Sequence, residues 1–176
     1  GKPVGRVVDV LLANEDDDLL LVSSEGMAIR FHIAGLNVIG STASHGVAGM
    51  KLPEEESIVR AATLPHLKAN RPEIEAYLAG GVYTYKDADG IEQTVKLTSE
   101  RKGEIGSADC MLFVCFETGF AKLVSAHAVR TTSRGGQGVE IGRRKPTTGA
   151  VAAVIKTMER FETQHDQHDC HADHAD

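Results

Sequence analysis

Tryptophan is absent from these 176 residues, and all aromatics together make up only 5% of the chain. A core built on large rings is therefore excluded, and aliphatic side chains must fill the interior. No apolar run approaches the roughly 20 residues that span a bilayer, so no membrane partner is expected. No signal peptide opens the chain, and Gly1 stands where a Met would, as in a piece of a longer protein. Cysteine is scarce. Cys110, Cys115 and Cys170 suggest no disulfide framework, and reduced, buried thiols in a cytoplasmic protein are the simplest reading. Cys110 and Cys115 bound one apolar run at an odd spacing, which places them on opposite faces of a strand. Basic charge is also short, with 19 Lys and Arg against 25 Asp and Glu and a net charge of −6. That sum argues against a nucleic-acid partner, but its distribution matters more. Glu162, Asp166, Asp169, Asp173 and Asp176 lie near the C-terminus without a compensating Lys or Arg. Further acid falls in two short runs, Glu15–Asp18 and Glu54–Glu56, at predicted strand connections. The remaining body is close to neutral and can present a basic face.

What the chain has is glycine, 18 residues of it, and a segment that occurs twice. Residues 19–52 and 111–141 each open with an apolar strand and pass an acidic-polar-Gly turn, Glu25-Gly26 or Glu117-Thr118-Gly119. A short strand with one basic residue follows, Arg30 or Lys122, then a small-residue loop and a Gly-Val pair, Gly46-Val47 or Gly138-Val139. Apolar runs recur downstream at Ile58–Thr63 and Ala150–Ile155. A repeated unit of this kind cannot bury its apolar face alone and stacks on its neighbours.

Strands are predicted at 4–13, 19–23, 46–52, 57–63, 110–116, 120–124, 138–141 and 150–156, with a hairpin over 19–31 turning at Gly26. The stretch 65–109 breaks the repeat. Pro72 and Glu73 before Gly80-Gly81 predict a short helix, and Asp87–Gly90 predicts a hairpin turn. The expected organisation is 1–64 as a first repeat region, 65–109 as an insertion or degenerate middle unit, 110–158 as a second repeat region, and 159–176 as a disordered His/Asp-rich tail.

Two constellations carry chemistry. Arg130-Thr-Thr-Ser-Arg134-Gly135-Gly136-Gln-Gly138, followed by Arg143-Arg144-Lys145, combines a glycine loop with guanidinium groups. Such a loop lets backbone approach a phosphate while the arginines make charge-assisted contacts, although Gly-rich turns and basic triplets also occur as plain solvated surface. In the tail, His165, His168, Cys170, His171 and His174 interleave with aspartates and offer ligands for zinc, nickel or copper. A soluble acidic tail is the competing reading, and such a tail can also compete with another polyanion for a basic face.

The repeat and the loop together resemble the C-terminal domain of bacterial type IIA topoisomerase A subunits, those of DNA gyrase and topoisomerase IV. Residues 19–31 look like the family's blade hairpin, and 45–52 and 118–122 are similar to other parts of its repeat. Ser133-Arg-Gly-Gly-Gln-Gly-Val139 resembles a degenerate gyrase box, Gln-Arg-Arg-Gly-Gly-Lys-Gly, and favours gyrase over topoisomerase IV. Ser133 stands at one of the box's two Arg positions and Gln137 at its Lys, which thins the basic face.

The resemblance implies an all-β fold, a β-pinwheel of propeller-like blades of four-stranded antiparallel sheet that exchange a strand, here with a small α+β insertion. It implies non-sequence-specific binding and wrapping of double-stranded DNA in support of ATP-dependent supercoiling. The implied protein partners are the remaining domains of the A subunit, together with the ATPase (B) subunit. This chain would be a non-catalytic part of that enzyme, cytoplasmic and nucleoid-associated, with no cofactor of its own. The DNA-contact candidates are Arg30, Lys51, Lys122, Arg130, Arg134, Gly135, Gly136, Gly138, Arg143, Arg144 and Lys145. The rival readings are a pinwheel-derived protein-interaction module that docks through 65–109, and metal binding by the tail.

Overall fold

The structure, a computed structural model, describes residues 5–41 and 46–157. The tail, with its candidate ligands His165, His168, Cys170, His171 and His174, lies outside the described residues, as does His45.

The first hairpin joins β1 (Asp17–Ser23) to β2 (Met27–His32), with Gly26 at φ 82° supplying the turn. Few residues other than glycine adopt that conformation cheaply. β3 (Ile58–Pro65) returns antiparallel along the other side of β1. The second repeat builds the same three strands: β6 (Met111–Phe116) pairs with β7 (Ala121–Ser125) and with β9 (Val151–Thr157). The likeness extends to an irregularity. The register shifts at Val22/Ser23 in one unit and at Cys115/Phe116 in the other, at the same place before the turn.

The fourth strand shows how the units are joined. β8 (Val139–Glu140) follows β7 in the chain but pairs with β2 of the first unit, giving the order β3-β1-β2-β8, while the second sheet has the order β7-β6-β9. The first unit's own Gly-Val segment does not take that seat, so the strand predicted at 46–52 is not formed. The strand predicted at 4–13 is also absent from the described residues, and Val7, Val10 and Leu12 are strongly exposed. A strand exists only where a partner edge is available, and here the one seat beside β2 is filled from the other repeat.

One core lies between the two sheets. Leu20, Val22, Ala28, Ala62 and Leu64 of the first pack against Leu112, Val114, Phe116, Val151 and Val154 of the second. The repeats use opposite faces for this. Gly26 and Gly119 are equivalent, so Leu20 corresponds to Phe113 and Ala62 to Ile155; the first pair is buried, whereas Phe113 is half-buried and Ile155 exposed. Stacking the front of one unit on the back of the next requires this inversion. It leaves the front of the second sheet, with Leu123 and Ile155, facing solvent. Cys110 is buried and Cys115 half-buried, both free, as their odd spacing predicts; burial pushes the Cys110 thiol up.

The intervening segment holds α1 (Arg71–Leu78), the hairpin β4 (Val82–Lys86) and β5 (Glu92–Lys96), and α2 (Ser99–Ser107). The second helix was not expected, because Gly103 and Gly106 lower its propensity. Its start is capped by Thr98, whose hydroxyl accepts from the Arg101 amide at 3.1 Å. α1 begins with a capping box, Asn70 accepting from the Glu73 amide and Glu73 from the Asn70 amide, both at 2.9 Å. The Arg101 guanidinium, 2.9 Å from Glu73, and the Asn70 amide hold the Glu73 carboxyl below its usual range. A lowered folded-state pKa contributes stability that is complete above the unfolded value and lost as pH falls through the folded one. Asn70→Ala is therefore expected to cost about 1 kcal/mol at pH 7. Protection of the α1 amides from hydrogen exchange, relative to an unstructured chain at the same pH, should fall on acidification through the carboxylate range, and Glu73→Gln should remove that dependence. No helix among the described residues is long and apolar enough to cross a membrane.

Candidate nucleic-acid interface

The glycine loop of the second repeat lies across the first. After β7 the chain makes a single 3-10 turn at Ala126–Ala128 and passes β2, where Thr131 bridges Arg30 and the Thr132 amide donates to the Arg30 carbonyl at 2.8 Å. The loop then turns back with Gly135 at φ 79° and Gly138 at φ 82°. Its apex is tied to the first repeat by two backbone bonds: Gly135 N–H donates to Gly49 O at 2.7 Å, and Lys51 N–H donates to Gly136 O at 2.9 Å. Gly138 sits against the Ala28 carbonyl so closely that a Cβ there would collide with backbone. Gly136 packs on Ile29. Gly135, through its positive φ, and Gly138, through that and the nearby backbone, thus have a fold-level reason to be glycine.

Around this apex the structure gathers basic side chains from distant positions. Arg134 is exposed and reaches the Ala48 carbonyl at 3.3 Å, so it lies beside the segment that carries exposed Lys51. Arg130 lines the same shallow cleft as Ser133, Gly136 and Gly138. None of Lys51, Arg130 and Arg134 has an acidic partner among the described residues. The second basic group follows β8. There Arg143 is 3.5 Å from Glu140, and Arg144 is 2.9 Å from Glu25, which holds its guanidinium more firmly protonated. Lys145 is exposed and unpaired among the described residues, and the stem of Lys122 runs past Gly142 into solvent. Acid therefore interrupts the second group and spares the first.

Arg30 does not belong to either group. It is 3% exposed, and its Nε lies 2.7 Å from Asp18 Oδ2, itself fully buried. Its Nη2 donates to Pro65 O at 2.9 Å and its Nη1 to Ala126 O at 3.4 Å. The expectation that it lies on a DNA-facing rim is corrected: the guanidinium joins β1, β2, the end of β3 and the second repeat from within. Pairing Arg30 with Lys122 across the repeats placed them one residue out of step. By the Gly26–Gly119 equivalence, Lys122 matches Ile29 and Arg30 matches Leu123. In a strand, one residue of offset exchanges the faces.

A family model described as "DNA gyrase C-terminal domain, beta-propeller" matches residues 17–65 and 117–156, which are the strands β1 to β3 of the first unit and the part of the second that follows β6. The chain belongs to the DNA gyrase C-terminal domain family. Among curated relatives, the DNA gyrase A subunit of Rickettsia bellii is 33% identical over 156 residues, covering 85% of this chain and 17% of that protein. The DNA gyrase A subunit of Granulibacter bethesdensis is 34% identical over 168 residues, covering 84% and 18%. The chain thus spans under a fifth of the length of these relatives. Two solved structures are similar at a lower level: the C-terminal domain of DNA topoisomerase IV (17% identity, TM-score 0.33, 84% of this chain and 49% of that one) and a DNA gyrase A C-terminal domain (16%, 0.27, 82% and 49%). The sheet architecture and the family agree with the all-β, propeller-like class that the resemblance implies.

Proposed function

We propose that this chain binds duplex DNA through its phosphates, without sequence preference, and bends it around the edge that carries the glycine loop. The observation that carries this reading is the uncompensated group of Lys51, Arg130 and Arg134 around the Ser133–Gly138 turn. Exposed guanidinium groups beside a closely approachable backbone suit phosphate contacts, which position a duplex but do not read bases. Gly135 and Gly136 leave the loop surface low enough for a phosphate to approach. Arg143, Arg144, Lys122 and Lys145 extend the path, with Glu25 and Glu140 reducing their share. Within this reading the chain is the wrapping element of gyrase, working with the remaining A-subunit domains and the ATPase (B) subunit in the bacterial cytoplasm.

The test is binding to linear duplexes of unrelated sequence over a salt series. Each phosphate contact adds about −0.9 to the slope of log affinity on log salt. Arg130→Ala and Arg134→Ala are each expected to make that slope shallower by about 0.9 and to weaken all sequences alike. Relaxed plasmid closed by a nicking-closing enzyme in the presence of the chain should show a salt-sensitive shift in linking number. Unchanged slopes in both variants would favour a protein-docking module instead. One observation supports that second reading: the insertion presents exposed Leu78, Val82 and Ile91.

A further inference from the structure

At the end of the first sheet, where β1, β2 and β3 come together, Asp18 gathers two histidines that the DNA reading leaves unused. Its carboxylate is fully buried and divides its work between its oxygens. Oδ2 accepts from Arg30 Nε at 2.7 Å and from Thr131 Oγ1 at 3.3 Å. Oδ1 faces His66 Nδ1 at 2.8 Å and His32 Nδ1 at 3.3 Å. The two imidazoles stack at 4.2 Å between centroids, with 25° between their planes. All three ligand atoms lie within 4.8 Å of one another.

We propose that Asp18 Oδ1, His32 Nδ1 and His66 Nδ1 bind one divalent cation of the zinc class. A tetrahedral zinc ion with bonds of about 2.0–2.1 Å to N and O sets its ligand atoms about 3.3 Å apart. His32 Nδ1 already stands at that distance from the carboxylate oxygen, whereas His66 Nδ1, at 2.8 Å, must draw back and the stacked rings must turn to aim both lone pairs at one ion, a movement that their partial exposure allows. Two imidazoles and a carboxylate are a borderline donor set, suited to zinc rather than to calcium or magnesium. Three protein ligands leave a fourth position for solvent. Arg30 and Thr131 hold the carboxylate from behind, as the hydrogen-bond partners of a ligating group do. The Arg30 charge also opposes a second cation, so binding is expected to be weaker than at a cysteine-rich zinc site. Side-chain exposures of 34% for His32 and 26% for His66 give the ion a path from solvent. Each ligating Nδ1 must be unprotonated, with the ring proton on Nε2, so His32 Nδ1 gives up its 3.1 Å contact with the Asp17 carbonyl on binding the ion. A bound ion would tie the end of β2 to the segment leaving β3 and, through Thr131, to the root of the glycine loop.

The tail histidines are a second potential source of zinc affinity, so the test uses the full-length chain with His165, His168, His171 and His174 changed to Gln and Cys170 to Ser. Zinc titration followed by calorimetry is expected to give one equivalent bound, and saturating zinc to raise Tm by about 5 °C. His32→Gln and His66→Gln, each added to this background, should weaken binding at least about tenfold and abolish the Tm rise. Cobalt(II) should give visible d–d absorption in the background chain and lose it in both variants, a readout that needs no comparison of stabilities. No bound equivalent and no cobalt spectrum in the background chain would overturn the assignment. So would a zinc-dependent Tm rise that persists unchanged in both histidine variants.

Discussion

Arg30→Ala is expected to lower folding stability by about 3–5 kcal/mol, the range for removing one partner of a buried ion pair. The size follows from what the truncation leaves behind. Asp18 would keep a fully buried carboxylate without its main counter-charge, and the carbonyls of Pro65 and Ala126 would lose a charged donor. Those groups belong to different parts of the chain, so the loss also loosens the join between the first sheet, the insertion and the second repeat. Urea unfolding at pH 7 with a constant m-value measures it. Asp18→Ala should cost a similar amount, and the two single changes should be strongly non-additive. Replacing both by apolar residues of similar volume, Asp18→Leu with Arg30→Met, should recover much of the loss. An Arg30→Ala protein with unaltered stability but a DNA-binding salt slope shallower by about 0.9 would return this residue to the DNA-contacting set.

Gly26→Ala is expected to cost about 3 kcal/mol, and Gly119→Ala only about 1 kcal/mol, although the two glycines hold the same place in the repeat. Both have positive φ, 82° and 88°, so each pays the left-handed strain of a side chain. Only Gly26 is overlaid by another segment. Its carbonyl accepts from the amides of Ile141 at 2.9 Å and Gly142 at 3.2 Å, and a Cβ there would strike the Gly142 carbonyl. Nothing lies within 4 Å of a Cβ at Gly119. Denaturant midpoints of the two variants, compared at equal m-value, separate backbone strain from the packing of one repeat on the other. Equal losses would show that the strap from β8 to Gly142 contributes nothing to Gly26.

The part of this fold that could be read in the sequence is the part set by local rules. Hairpin turns at Gly26 and Gly119 follow from acidic-polar-Gly turns between apolar runs, and α1 follows from Pro72, Glu73 and the Gly80-Gly81 stop. α2 is not legible in the sequence because interior glycines hide a helix held by the Thr98 cap and by Arg101, whose guanidinium spans Glu73 and Glu104. The candidate interface was legible as composition: the glycine loop and its arginines are contiguous in the chain. Its completion by Lys51 was legible only as a separate basic residue, because an amide-to-carbonyl bond from Lys51 to Gly136 leaves no trace in either side chain.

Asp18 gave no such signal. It stands in an acidic run that looks like a solvated connection, and neither His32 nor His66 falls in a ligand-spaced motif. Three strands had to converge before the cluster existed.

The sequence by itself determined the repeat, the strand alternation and the turns, because these depend on spacing within a few residues. The tertiary structure alone decided which face of each strand is covered, which repeat supplies the strand beside β2, and whether a basic residue meets solvent or a buried carboxylate. Alternation says which residues share a face, and a shift of one residue between repeats exchanges the faces. Whether a face is buried depends on the neighbour stacked on it, and that neighbour comes from elsewhere in the chain.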